Sequence, residues 1–438
     1  MSTYEQALDR NKVLFVGSYL ESQKQALVKM SQILGRNIQA IVIYDVTDIK
    51  AKDTIASDGT AVVMACDFSS SLALQKALLP YRDNLLVVTV RAEKNVPLLK
   101  KVIPHVPYLS TPTELSLDWT TDKIRMRQLL RGYDKSISPK FLVAHDSEPE
   151  TLNRIERVVG FPLIIKPSGL AASLLVSLCY HQEELDDYLK KTVRKINQIY
   201  KKKKGRGEPQ ILVEEFMDGV MYSIDAYVNQ RGTIYHTPLV HVKTGRSVGF
   251  EDFFGYMRIT PVQLKPYKIE AAHKAANKAI EALGLRSTTC HIELMKTEDG
   301  WKVIELGPRM GGFRDEMYKL AYGFDHSLND ILIRVPKKPI ITKKAKGSCA
   351  VLQFYSKEKG RFEALQGVSK VRQLESFSRI ELKKKLGDMC DFARNGDDPV
   401  LTVVLFNKKR SNLLADIRRM EKAIVIKVKK PTRTKAQV

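Results

Sequence analysis

Two acids set into otherwise apolar strands constrain this chain more than any other feature. They lie in CHIELMKTEDGWKVIELGPRMGG, Cys290 to Gly312. Glu293 and Glu305 each interrupt a run of strand-forming residues, and Glu298-Asp299-Gly300 between the runs reads as a turn. A three-residue hairpin loop with Gly in the left-handed position is a common connection. That register pairs Thr297 with Trp301 and sets Glu293 opposite Glu305. Leu294 then faces Ile304, and Ile292 faces Leu306, on an apolar side. Like charges directly opposite are destabilising, so the pattern predicts something positive between the carboxylates. A hard cation such as Mg²⁺, bound through carboxylates and substrate phosphates, fits that requirement. The plain alternative is two acids on a solvated sheet face, and a one-residue slip in register would undo the pairing.

The chain has 438 residues, too many for one core, so two to four domains are expected. Its five cysteines are odd in number and scattered, with no metal-ligand spacing. That pattern predicts small core residues in a reducing, cytoplasmic setting. No apolar run is long enough to span a membrane, and MSTYEQALDRNK lacks a signal pattern. The formal net charge of +23 attracts polyanions. Basic residues cluster at Lys190 to Gly207 and Lys427 to Val438. Neither cluster interleaves aromatics as single-strand binders do, so nucleic-acid binding is not expected.

The first segment reads βαβ: NKVLFVGSYLES, an amphipathic ESQKQALVKMSQILG, then IQAIVIYDV, TAVVMACDF and NLLVVTVRA. Apolar strands alternating with helices predict a parallel sheet. Gly17 alone is a weak dinucleotide signal, and the fuller fingerprint is absent. In DWTTDKIRMRQLLRGYD, Thr121 and Asp122 read as caps, which puts Lys123 in a helix's first turn. A small α+β unit follows from SISPKFLVAHD. There Lys166 ends the strand Phe161 to Ile165 before PSGLAAS, a loop whose N–H groups suit phosphate. QILVEEFMDGVMYSIDAYV reads strand, turn, strand. PYKIEAAHKAANKAIEALGL has helical core periodicity, and a β-rich segment begins near Ala345.

This order of elements resembles the ATP-grasp superfamily. The resemblance rests on FPLIIKPSG, ILVEEFMDG, HIELMKTEDGWKVIELGPRMGG and TDKIRMRQLL, spread over roughly residues 120 to 335. It implies an α/β and α+β chain: a Rossmann-like domain at 1–118, an ATP-grasp core at 119–335 with a lid at about 138–216, and a C-terminal α+β module at 336–438. Within the superfamily the chain is most similar to the carboxylate–amine ligases that join amino acids.

The resemblance assigns roles residue by residue. Lys123 and Lys166 would contact ATP phosphates, with Ser168 as a hydroxyl donor. Glu214, Glu215 and Met217 would frame adenine. Glu293 and Glu305 would hold Mg²⁺ or Mn²⁺, and Arg309 would stabilise the phosphorylated intermediate. Gly311 and Gly312 would let backbone N–H groups approach a substrate carboxylate. The implied reaction forms an amide from a small carboxylate and an amine through an acyl phosphate, releasing ADP and phosphate. Alternatives are an ATP-grasp kinase or carboxylase, or an ATP-binding relative without turnover. Relatives often dimerise, so a homodimer is open.

The chain also departs from the pattern. Gly307 stands where many relatives have a metal-binding Asn, Met221 where a ribose-binding acid is common, and Leu170, Ala171 and Ala172 where the lid loop is usually glycine-rich. His291 is expected on the face of Glu293, as a structural residue or a base. Phe250, Phe253, Phe254 and Tyr256 are read as substrate pocket or packing. Arg314 and Glu316 are candidate readers of a charged substrate group.

Overall fold

The computed structural model describes residues 10–48, 55, 59, 61–168, 176–203, 210–250, 252–335, 337–393 and 397–429. The first elements are β1 (Lys12–Val16), α1 (Glu21–Leu34), β2 (Gln39–Asp45), β3 (Ala61–Cys66), α2 (Ser71–Leu78), β4 (Leu85–Val90) and α3 (Val96–Val102). The strands form a parallel sheet in the order β3-β2-β1-β4. In β1, Val13 and Phe15 pack with α1, and Leu14 and Val16 pack with α2 and α3 on the other face. Burial on both faces explains why these strands are continuously apolar rather than alternating.

Next come α4 (Glu114–Thr121) and α5 (Lys123–Tyr133). Asp122 caps α5, its Oδ1 accepting the N–H groups of Ile124 and Arg125 at 2.9 and 3.1 Å. A compact unit follows: β5 (Phe141–Ala144), α6 (Pro149–Val158), β6 (Leu163–Pro167), β7 (Ser177–Cys179), α7 (Gln182–Lys203) and β8 (Ile211–Glu215). Its antiparallel sheet runs β5-β8-β6-β7. Leu152 and Ile155 of α6 and Leu185 and Leu189 of α7 cover Leu163, Ile165 and Val213.

The rest is built on one long antiparallel sheet. It contains β9 (Val220–Val228), β10 (Ile234–His236), β11 (Val240–Thr244), β12 (Gly255–Thr260), β13 (Thr288–Thr297), β14 (Gly300–Gly307) and β15 (Ser348–Phe354). A short three-stranded sheet is made by β16 (Gly360–Gln366), β18 (Met389–Cys390) and β20 (Val425–Lys429). The long sheet continues through β17 (Phe377–Leu382) and β19 (Leu401–Asn407), in the order β14-β13-β9-β11-β12-β15-β19-β17. Residues beyond 336 therefore extend the same sheet that carries the acidic hairpin. Helix α8 (Pro266–Ala282) joins α5 against Ile224, Ile292 and Leu294 on one face. On the opposite face, α9 (Arg314–Ala321) packs Met317, Tyr318 and Ala321 on Val240, Cys349 and Val351. Helix α10 (His326–Leu332) inserts Leu328, Ile331 and Leu332 into the N-terminal core.

All five cysteines are buried and unpaired, as expected of small core residues. No helix among the described residues is long and apolar enough to cross a membrane. The lid loop 169–175, including Ser173, and most of the two basic clusters lie outside the described residues or side chains.

Candidate active site

The hairpin reaches the expected pairing by a different route. Thr297 pairs with Gly300 and Lys296 with Trp301, so the turn is one residue tighter than the sequence suggested. A bulge at Ile304 then takes up one residue, and Glu293 does face Glu305, with Ile292 facing Leu306. Leu294 faces Val303, not Ile304. Val303 enters the core, while the displaced Ile304 turns to line the site cavity.

Arg127 on α5 locks this irregular strand in place. Its guanidinium donates to the Val303 carbonyl at 3.0 Å and to the Ile304 carbonyl beside it. Its Nε donates to Glu214 at the end of β8. The other Glu214 oxygen lies 2.6 Å from Lys166 Nζ. One buried arginine thus joins the bulge to β8 and, through Glu214, to Lys166 on β6. Burial would raise the Glu214 carboxyl, but Arg127 and Lys166 outweigh it and hold its pKa at about 2. Burial lowers the pKa of Lys166, and Glu214 opposes that shift.

A cavity of about 180 Å³ lies between the small sheet and the hairpin. Lys123, Lys166, Glu214, Glu215, Met217, Glu293 and Glu305 all line it. Met221 and Met295, paired across β9 and β13, form an apolar stretch of its wall. Lys123 Nζ is 3.9 Å from Glu305, and Lys302 Nζ is 3.7 Å from Glu215. Ser168 is buried at the end of β6, its N–H donated to the Gln210 carbonyl at 2.9 Å.

Glu293 keeps a carboxyl below the ordinary range: burial raises it, but His291, Arg309 and Arg258 outweigh burial. Two facing carboxylates, one of them favoured as the anion, suit a hard cation. Among the described residues no group of three or more His, Cys, Asp or Glu could enclose a metal. Mg²⁺ is usually held by one or two carboxylates together with phosphate and water, a demand that a facing pair of glutamates can meet.

Arg309 does not line the cavity. Its Nε donates to Glu93 at 2.8 Å, a residue just after β4 in the N-terminal domain. A Cβ on Gly307 would lie 2.6 Å from Glu93 Oε2. The lack of a side chain at Gly307 therefore leaves space that Glu93 occupies. Nothing in the local sequence around Glu93 signals this.

Beneath the hairpin lies a second buried network. Asp225 accepts from His291 Nδ1 at 2.6 Å, His326 Nε2 at 2.7 Å and the Gly311 N–H at 2.7 Å. His326 Nδ1 in turn meets the Tyr227 hydroxyl. This corrects one expectation: the Gly311 N–H is committed to Asp225 and does not face a substrate. Gly311 is small because a Cβ would meet His291 Nδ1 at 2.4 Å. His291 Nε2 lies 3.7 Å from Glu293, so the imidazole braces a candidate metal ligand. Of the aromatic stretch, Phe253 lines the cavity, while Phe254 and Tyr256 pack in the core under β15 and β19. Glu316 is held by Arg379 of β17 through two bonds of 3.0 and 2.7 Å, which removes it as a substrate reader.

Residues 159–316 match the ATP-grasp domain family. The chain contains an ATP-grasp domain. An alanine–anticapsin ligase of Bacillus amyloliquefaciens is 30% identical over 205 residues, covering 44% of this chain and 42% of that protein. An uncharacterized protein, y4rH, of Sinorhizobium fredii is 25% identical over 276 residues, 61% of this chain and 53% of the relative. The chain spans about half the length of these curated relatives. The ATP-grasp fold extends well beyond the matched domain. An L-amino acid ligase from Bacillus licheniformis superposes with a TM-score of 0.72 at 17% identity, over 96% of this chain and 99% of that one. An N5-carboxyaminoimidazole ribonucleotide synthetase from Thermotoga maritima gives 0.66 at 16%, over 96% and 100%.

Proposed function

We propose that this ATP-grasp protein is a carboxylate–amine ligase. It would activate a small carboxylic acid as an acyl phosphate and pass it to an amine, with release of ADP and phosphate. The observation that carries the reading is the convergence of Lys123, Lys166, Glu293 and Glu305 on one cavity beside an aligned Glu93–Arg309 pair. The names of the alanine–anticapsin ligase and the L-amino acid ligase support it. The domain limits 1–118, 119–335 and 336–438, and a cytoplasmic location, go with the same proposal.

Phosphoryl transfer needs positioning and charge neutralisation more than covalent help. Lys166, held by Glu214, presents a fixed ammonium to the ATP phosphates, and Lys123 adds a second from the first turn of α5. Glu214, Glu215 and Met217 border the adenine side, where the backbone of β8 ends. Glu293 and Glu305 would hold Mg²⁺, which when bound neutralises phosphate charge. Arg309 is oriented by Glu93 and would face the acid's reacting carboxylate. Its planar fork suits an acyl phosphate better than a lysine would. The carboxylate oxygen attacks the γ-phosphorus and ADP leaves. A neutral amine then attacks the acyl carbon, and the phosphate departs with the former carboxylate oxygen and takes up the proton that the nitrogen loses. Closure over the cavity would keep water from the acyl phosphate.

The test is release of ADP and phosphate from Mg-ATP with pooled amino acids. Release that needs the pool and disappears in Glu305→Gln supports a ligase. ATP that binds but is not consumed with any acid and amine points to the non-catalytic alternative, which Gly307 favours.

A further inference from the structure

Two guanidinium groups near Glu293 have neutral partners only. Arg314 is 2% exposed. Its Nη1 donates to the Gly312 carbonyl at 3.1 Å and its Nη2 to Ser223 Oγ, and its Nε has no hydrogen-bond partner. Arg258 Nη1 donates to the Gly255 carbonyl at 2.9 Å and to Gln353 Oε1 at 2.8 Å. The Arg258 guanidinium lies 5.4 Å from the centre of the Phe313 ring, the residue before Arg314. Among the described residues no carboxylate is ion-paired with either arginine. Elsewhere in the site the pattern is the reverse: Arg127, Lys166 and Arg309 each touch a carboxylate.

The sheet register shows where these arginines point. Glu293 pairs with Ser223, the residue that Arg314 contacts. Two residues along, one row runs Met295, Met221, Val242, Arg258 across β13, β9, β11 and β12. Paired residues share a sheet face, so Arg258 stands on the face of Glu293 and of the cavity-lining methionines. Its strand is three positions from β13, about 14 Å at the usual strand spacing. That is too far for the phosphoryl being transferred and within reach of the far end of a substrate.

A buried and a half-buried cation with no ion-paired carboxylate are costly, and Glu293 offsets that only from beyond ion-pair distance of Arg258. A planar fork pair matches a carboxylate or phosphate better than any neutral group. Arg258 shows the strain: burial first, and Arg314 next, lower its pKa to about 10.

We propose that Arg258 and Arg314 bind a non-reacting anionic group, a carboxylate or phosphate, carried by one of the two substrates. The assignment rests on the ligase reading for its reaction but not for its binding chemistry. The activated carboxylate belongs at the Glu293–Glu305 end, so the group bound here is a second negative charge. Either the acid is a dicarboxylate or phosphorylated acid, or the amine carries its own acidic group.

The binding experiment is a thermal-shift series in Mg-ADP. Dicarboxylic acids, amino acids and phospho-amino acids are compared with analogues whose second acid is an amide. Charged forms should raise Tm and the amides should not. Arg258→Gln should abolish the difference, and Arg258→Lys should restore part of it. In turnover, amidation of that group should cost roughly 10²-fold in kcat/KM, mostly through KM, as expected for lost charge-assisted hydrogen bonds. Arg258→Gln should erase this discrimination. If the charge is on the acid, discrimination persists when hydroxylamine replaces the amine. If it is on the amine, discrimination is confined to amide formation. Equal binding of acid and amide, or full discrimination in both Arg258→Gln and Arg314→Lys, would overturn the assignment. Failure of the ligase reading looks different: no ADP release with any pair, while the Arg258-dependent Tm rise remains.

Discussion

Glu214 and Asp225 are both buried carboxylates on consecutive strands, yet they serve different ends. Glu214 sits at the open end of β8, between Arg127 and Lys166, and forms part of the cavity wall. Asp225 is sealed under the hairpin and gathers two imidazoles and a backbone N–H. Glu214 meets two cationic side chains, one of which, Lys166, faces phosphate in the proposed reaction. Asp225 meets groups that shape the loop after β14. The first carboxylate pre-orients chemistry, and the second fixes the scaffold around it.

The largest effect should come from the hairpin itself. Glu305→Gln should lower kcat on the order of 10³-fold, since charge stabilisation dominates phosphoryl transfer. Its melting temperature should hold or rise, because facing like charges are relieved. A variant that loses activity only by unfolding would contradict this.

Arg127→Met should cost about 3–5 kcal/mol in urea unfolding, since it strands Glu214 and the bulge carbonyls. Lys166→Met should cost less stability, because Arg127 remains, but should raise the KM for ATP strongly. Asp225→Asn should cost about 2–3 kcal/mol from lost and mismatched hydrogen bonds. Its KM for ATP should stay within a few-fold. If Asp225→Asn raised that KM as much as Lys166→Met, the contrast between the two carboxylates would collapse.

Acid acts on the Glu214 cluster in a defined pH window. The Glu214 carboxyl falls from 4.5 to about 2 on folding. A depressed carboxyl adds stability above its unfolded pKa and loses it as pH falls through the folded value. The Glu214 contribution should therefore be complete above about pH 5 and fade towards pH 2. Glu214→Gln, measured by chemical denaturation from pH 7 to 2, should flatten that part of the profile. The smallest effect is expected from Gly307→Ala. Its Cβ would press on Glu93, whose flexible end can give way, so kcat/KM should drop about tenfold or less with little change in Tm.

Much of the fold was legible because local pattern and burial agree. Apolar strands such as KVLFV and LLVVTV announced a parallel sheet buried on both faces, and the pairing of Glu293 with Glu305 could be read from the two strands. The turn could not: a tighter loop and a bulge at Ile304 cancel, and only tertiary contacts from Arg127 stabilise that pair of irregularities. Arg127 itself looked like one more cation in KIRMRQLL. Its partners Glu214, Val303 and Ile304 are far away in sequence, and no periodicity encodes them. Glu93 and Asp225 escaped for the same reason. Gly311 was assigned to substrate because its lack of a side chain was visible, while the Asp225 oxygen that claims its N–H was not.

The most direct measurement follows one oxygen atom. An acid labelled with ¹⁸O in its carboxylate is turned over with Mg-ATP and an amine, and the released phosphate is analysed by mass. The proposed reaction predicts one labelled oxygen in the phosphate for each amide formed. Unlabelled phosphate alongside amide would contradict activation through an acyl phosphate.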